Sequence, residues 1–165
     1  MDVSGYNHSD SITINRPPDD VYAIVGDVTR IGELSPVCAS ATWDDPAQAG
    51  KEGAWFTGHN AIGEDITWDT HCQVVAAKPG REFAFINHGR TGDVELVRWG
   101  YTFEPQGDAT QVTESWQVLP AYPDFVRAGA GDPNLDVTAR IDGMAQMARD
   151  GIKDTLANLK RVAES

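Results

Sequence analysis

The sequence predicts an α+β domain in which an antiparallel sheet of about seven strands closes on one long C-terminal helix, with one or two short helices after the first strand. Three observations predict it. First, the run from about Asp132 to Ala163 has one apolar face: with Ile141 at the centre of a helical wheel, Val137, Met144, Ala145, Ala148, Ile152, Leu156, Leu159 and Val162 fall within roughly 60° of it. Asp142, Gln146, Arg149, Asp150, Lys153, Asp154 and Arg161 take the opposite side. Second, apolar and aromatic residues alternate with polar ones from Ala54 to Val118, as in a sheet covered on one face only. Third, the helix stripe is thin at its middle, where Ala145 and Ala148 lie beside Gly151. A helix so thinned, laid over a concave sheet, leaves space between the two layers.

Ser9 to Asn15, with Ile12 and Ile14 in one phase, reads as the first strand. Arg16-Pro17-Pro18-Asp19-Asp20 is a helix start, with proline in the first turn and acids at the positive end of the dipole. Val21, Ile24, Val25 and Val28 share its face; a second short helix at Thr29–Leu34 leads to Pro36. Cys38 to Trp43 is a strand, followed by an acidic loop. In the alternating region Gly63-Glu64-Asp65, Lys78-Pro79-Gly80, His88 to Gly92 and Gln106-Gly107-Asp108 are the turns. Asp132-Pro133 supplies an N-cap candidate for the long helix, which at about 30 residues would measure ~45 Å. The whole chain, 1–165, is expected to be a single domain, with 1–8 flexible and 119–133 a mobile loop.

The turns also predict a register, because opposed residues share a face. The Gly107-Asp108 turn sets Tyr101 against Glu114 and Trp99 against Trp116. The Gly63–Asp65 turn sets Trp68 against Asn60, Thr70 against Gly58 and Cys72 against Phe56. A turn at Lys78-Pro79 sets Phe85 beside Cys72 and Asn87 beside Thr70. One inner row should then run Phe56, Cys72, Phe85, Trp99, Trp116.

Composition narrows the classes of function. A net charge of −12 and a pI near 4.5 argue against nucleic acid and anionic membrane surfaces as partners. No apolar run is long enough to span a bilayer, so no integral membrane association is expected. The polar opening MDVSGYNHSD lacks a basic leader, which predicts a cytoplasmic protein. Cys38 and Cys72 sit in no metal-ligand spacing, and His8, His59, His71 and His88 are scattered, so two buried thiols, no metal and no cofactor are expected. No Ser-His-Asp order or Gly-rich phosphate loop stands out.

Glu114 is the most informative residue. It falls in the inward phase between Val112 and Trp116, where a carboxylate is costly unless hydrogen-bonded. It is either a structural carboxylate reaching water or a backbone donor, or a cavity carboxyl with a raised pKa opposite the Tyr101 hydroxyl. Asn60, Thr70 and Asn87 form a second inward polar group with the Trp68 indole, either satisfying one another or contacting a ligand. Trp99 and Trp116 also point inward, opposite small helix residues, as suits a roomy apolar pocket. Phe56, Asn60, Trp68, Thr70, Phe85, Asn87, Trp99, Trp116, Met144 and Ala148 are therefore the candidate ligand-binding residues. His59 and His71 are outward, and His59 opposite Asp69 reads as a surface pair of little energetic weight.

Four stretches carry a resemblance: RPPDDVYAIVGDVTRIGELSP at 16–36, GREFAF at 80–85, VRWGYTFEP with TQVTESW across 97–116, and MARDGIKDTLANLK at 147–160. In this order they resemble the SRPBCC superfamily of START-like, helix-grip proteins, and within it the polyketide cyclase/dehydrase and lipid transport group. The resemblance spans about Ser9 to Ala163. It implies a curved antiparallel sheet gripping the C-terminal helix around an apolar cavity. Leu34 stands where many relatives carry Trp, and Val37 where many carry Glu. The expected function is binding or carriage of a hydrophobic or aromatic small molecule, lipid- or polyketide-like. The enzymatic alternative is a polyketide cyclase or dehydratase in which Glu114 and Tyr101 transfer protons.

Overall fold

The computed structural model describes all 165 residues. Its strands are β1 (Asn7–Ile14), β2 (Cys38–Trp43), β3 (Trp55–Ile62), β4 (Ile66–Lys78), β5 (Glu82–Asn87), β6 (Val97–Gln106) and β7 (Ala109–Val118). They form one antiparallel sheet in the order β1-β7-β6-β5-β4-β3-β2. The chain starts at one edge and crosses to the other through α1 (Pro18–Val25) and a 3-10 turn (Val28–Glu33). It then returns strand by strand until β7 closes against β1. This is the helix-grip architecture, completed by α3 (Val137–Glu164).

Pro18 opens α1, and Asp19 and Asp20 lie in its first turn. Val21 and Val25 are buried, and the Tyr22 ring meets Phe83 and Phe103 edge-on at centroid distances of 6.2 and 5.5 Å. Together they fill one end of the sheet's inner face. The 3-10 turn begins at an Asp27 cap, whose carboxylate accepts from the Thr29 amide. It passes so close to β2 that a Cβ at Gly32 would collide with the Ala39 carbonyl oxygen.

α3 buries Val137, Ile141, Ala145, Ala148, Ile152, Leu156 and Leu159, the stripe read from the wheel, while Met144 and Val162 are half-buried at its margins. Thr155 and Ala163 are buried with them. The helix starts later than Asp132-Pro133 indicated. Asp136 is its N-cap, accepting from the Ala139 amide, and Asp132 instead accepts from Asn134 in the preceding turn. Its last turns are tied to the first strand: Lys160 Nζ donates to the Thr13 carbonyl at 2.8 Å, and Glu164 accepts from the Asn15 amide at 2.9 Å.

The structure corrects several expectations. The 119–133 stretch is not a loop throughout, because Tyr122–Gly129 forms a helix, α2. Pro123 lies in its first turn, and the Asp124–Arg127 ion pair at 2.8 Å matches the helix dipole, signals outweighed in the sequence by the glycines and prolines around them. Residues 1–8 are tied to the core. Val3 is buried, Val118 N–H donates to the Tyr6 carbonyl, and the Tyr6 hydroxyl donates to Asp142 at 2.7 Å. Of the two free thiols Cys72 is buried, whereas Cys38 is only partly so.

The register is as expected for β3–β4 and β6–β7, including Tyr101 against Glu114 and Trp99 against Trp116. At β4–β5 it differs: Cys72 faces Asn87, and Val74 faces Phe85. The turn there holds three residues, Pro79 to Arg81, between paired Lys78 and Glu82, and a bulge between Val74 and Ala76 takes one position back. Beyond the bulge the net slip is even, so the residues from Cys72 to Val74 and from Phe85 to Asn87 keep their predicted faces. The inner row is therefore Phe85, Trp99, Trp116 on one side and Phe56, Cys72, Asn87 on the other.

Candidate functional site

Between the sheet and α3 lies a partly open cavity of about 240 Å³, slightly below the usual range for small-molecule sites. All twelve residues singled out from the sequence lie on its wall. Phe56 and Asn60 come from β3, Trp68 and Thr70 from β4, Phe85 and Asn87 from β5. Trp99 and Tyr101 come from β6, Glu114 and Trp116 from β7, Met144 and Ala148 from α3.

The sequence reading missed the rim. Ile31 and the segment Ser35 to Cys38 reach the cavity from the crossover, facing Met147, Gly151 and Thr155 of α3. Half-exposed Met147 and Gly151, whose Cβ would meet only Pro36 at 4.0 Å, place an opening there. Phase along strands cannot assign a connecting segment to a wall, so the signal was absent. Gly58, Cys72 and Val97 also line the space, and their inward phase was visible. Val37 is on the wall, whereas Leu34 is buried in the core.

Three features shape the site's chemistry. Gly58 opens the floor: a Cβ there would sit 3.2 Å from Thr70 Oγ1 and 3.3 Å from Cys38 Sγ. The amide group is largely satisfied within the protein, since Asn60 donates to Thr70 Oγ1 at 3.2 Å and Asn87 accepts from the Gly89 amide at 2.7 Å. The carboxyl group is not. Glu114 is 2% exposed, and the Tyr101 hydroxyl donates to its Oε1 at 2.9 Å, but Oε2 is buried without a partner.

Burial pushes Glu114 up to about 8, against the smaller opposing effect of the Tyr101 hydrogen bond. Burial likewise raises the Tyr101 phenol well above its ordinary value, reinforced by the neighbouring carboxylate. Cys72 is pushed up to about 12, mainly by burial, so its thiol is inert at neutral pH. Glu114 is thus a neutral acid near pH 7, the opposite of a carboxylate saturated by donors.

On the outer face of the sheet, His59 pairs with Asp69 at 2.8 Å, with both side chains largely exposed. His71 contacts Thr57 there, and neither histidine lines the cavity. No three His, Cys, Asp or Glu side chains converge as a metal-ligand group, and no helix is long and apolar enough to cross a membrane.

The sequence profile of the family described as polyketide cyclase/dehydrase and lipid transport matches residues 7–164. The chain belongs to that family. A family relative of known structure, the Polyketide_cyc-like protein Cgl2372 from Corynebacterium glutamicum, is 36% identical over 96% of this chain and 91% of its own, with a TM-score of 0.68. More distant likenesses establish the fold alone. The di-domain ARO/CYC protein StfQ, from the steffimycin biosynthetic pathway, superposes with a TM-score of 0.66 at 14% identity. The di-domain ARO/CYC protein BexL, from the BE-7585A pathway, does so with 0.68 at 16% identity. Each match covers 96% of this chain but 50% of the other, so the present chain spans half the length of those proteins. Among curated proteins, none matches it. On the cavity wall of this chain, the Tyr101 hydroxyl and the Glu114 carboxyl form a buried hydrogen-bonded pair.

Proposed function

We propose that this family member binds a hydrophobic or aromatic small molecule, lipid- or polyketide-like, between the sheet and α3, and acts as a ligand-binding or carrier protein. The cavity carries the reading. Fourteen of its 23 lining residues are hydrophobic, its amides are mostly engaged by protein groups, and one end opens beside Met147. Such a wall rewards apolar area and offers few fixed polar anchors. Both activities in the family description, cyclase/dehydrase and lipid transport, handle ligands of this kind. Native mass spectrometry of freshly purified protein tests the proposal. A co-purifying mass of a few hundred daltons, lost on organic extraction, is expected; a bare chain that also fails to take up Nile red would overturn it.

The enzymatic alternative has one observation in its favour: a neutral Glu114 hydrogen-bonded to Tyr101 inside the cavity is a candidate proton-transfer pair. Against it stands a wall without Lys, Arg or His to stabilise an enolate. Turnover of a poly-β-ketone that falls by about 10²–10⁴ in Glu114→Gln, with ligand affinity kept, would decide for the enzyme.

A further inference from the structure

The cavity wall contains no lysine, arginine or histidine, and its one carboxyl group is Glu114. Tyr101 already supplies the donor for Oε1, so in the neutral acid the proton sits on Oε2, a buried donor with no acceptor in the protein. A buried polar group left unpaired is costly, and a ligand that pairs it recovers that cost on binding. The acceptor must therefore come with the ligand. We propose that the cavity takes an uncharged ring-bearing ligand with a carbonyl-type oxygen, held by a hydrogen bond donated from the Glu114 carboxyl group, and that it rejects carboxylates. This rests on the cavity-binding reading above and specifies the ligand for that site.

The surroundings of Glu114 favour an uncharged partner. Trp116 lies two residues along the same strand, and Trp99 and Tyr101 are on the adjacent strand, so rings flank the acid. Among titratable groups, Tyr101 on β6 bonds it directly. Asp10 lies directly across on β1 but is exposed, and the Cys38 and Cys72 thiols line the cavity from β2 and β4. α3 presents Met144, Met147, Ala148, Gly151 and Thr155, none of them charged. An anionic ligand would find no cation here and one potential like charge. A fatty acid would have to enter protonated, at the cost of its own ionisation. An ammonium would meet its counter-ion only by first deprotonating a carboxyl that burial holds neutral up to about 8. A ketone, quinone or ester needs no ionisation. Oε2 is covered in the empty cavity, so the ligand must displace a neighbouring side chain. Met144 and Met147 are the unbranched, easily repacked residues on the wall.

A matched series on one skeleton tests this: 2-acetonaphthone, 2-ethylnaphthalene, 2-naphthoate and 1-(2-naphthyl)ethylamine, titrated by calorimetry against the wild-type protein. The ketone should bind about tenfold more tightly than the hydrocarbon at about pH 6, and the carboxylate at least about a hundredfold more weakly than the ketone. Ketone affinity should decline as pH rises through about 8, while hydrocarbon affinity stays flat. Glu114→Gln keeps a donor without titrating, so ketone binding should survive within about threefold and lose its pH dependence. Equal binding of ketone and hydrocarbon to the wild type overturns the proposal and leaves the cavity intact. An amine that binds best and strengthens with pH overturns it in favour of a cation site. If none of the four binds, the cavity reading itself fails, and the proposal with it.

Discussion

Glu114 and His88 hold the two buried side-chain polar atoms without a partner, and their settings differ. His88 packs on Trp55 at 4.8 Å away from the cavity wall, whereas Glu114 stands on it. The inward phase of Glu114 and its place opposite Tyr101 were legible from alternation and one turn. Whether donors or burial would win was not, because that depends on how many N–H groups reach the carboxyl in space. One hydroxyl does, and burial wins. The sign of the pH dependence follows. The folded protein holds this proton more tightly than the unfolded chain, so the stabilisation is complete below the ordinary carboxyl range and is lost as pH rises through about 8. Glu114→Gln removes that loss. Between about pH 5 and 9 the variant should gain on the wild type by up to about 4 kcal/mol, less where water follows the charge inward. Parallel urea-unfolding midpoints across that range would show that Glu114 ionises without cost and would remove the basis for calling it a neutral donor.

The elements that pattern could reveal were the long, regular ones. The stripe on α3 and the alternation of β6 and β7 located helix, sheet and most of the cavity wall, because period and burial coincide there. What escaped were features set by single turns: the three-residue Pro79–Arg81 turn with its bulge, the Asp136 cap, and α2 among glycines and prolines. α2 also reaches the site, since the Tyr122 hydroxyl donates at 2.7 Å to Sδ of Met144, a wall residue that pattern alone placed on the helix. The thin middle of α3 makes a testable claim at this scale. Gly151→Phe should place a ring at the rim, with only Pro36 near its Cβ. Exchange of glycine for a better helix former costs nothing at the backbone and favours the helix by up to about 1 kcal/mol. We expect Nile red affinity to drop at least about tenfold while the melting temperature holds or rises. Unchanged dye affinity in the folded variant would place the entrance elsewhere.

At the scale of the molecule, 25 acidic residues against 13 basic ones leave a charge of −12 on 165 residues. Six ion pairs, among them Arg30–Glu33 at 2.7 Å, Arg127–Asp124 and Lys160–Glu164, oppose the repulsion, but all lie at the surface and each contributes little. The repulsion should therefore win at low salt. Raising ionic strength from about 0.01 to 0.15 M shortens the screening length from ~30 to ~8 Å and should raise the melting temperature by a few degrees. A fall would mean that the pairs outweigh the excess acid. The sheet order has a separate consequence, for synthesis on the ribosome. β1 has a single strand partner, β7, so the first of these seven strands to be made must wait for the seventh. Until β7 and then α3 emerge, β1 has neither its hydrogen-bonded neighbour nor the helix whose Lys160 and Glu164 hold the end of that strand. Local hairpins from β3 to β7 can form earlier, at low loop-closure cost, but β1 pairs with β7 and docks against α3 only in a late step that spans most of the sequence. α3 supplies one wall of the cavity, so the space between sheet and helix takes shape only with that late step.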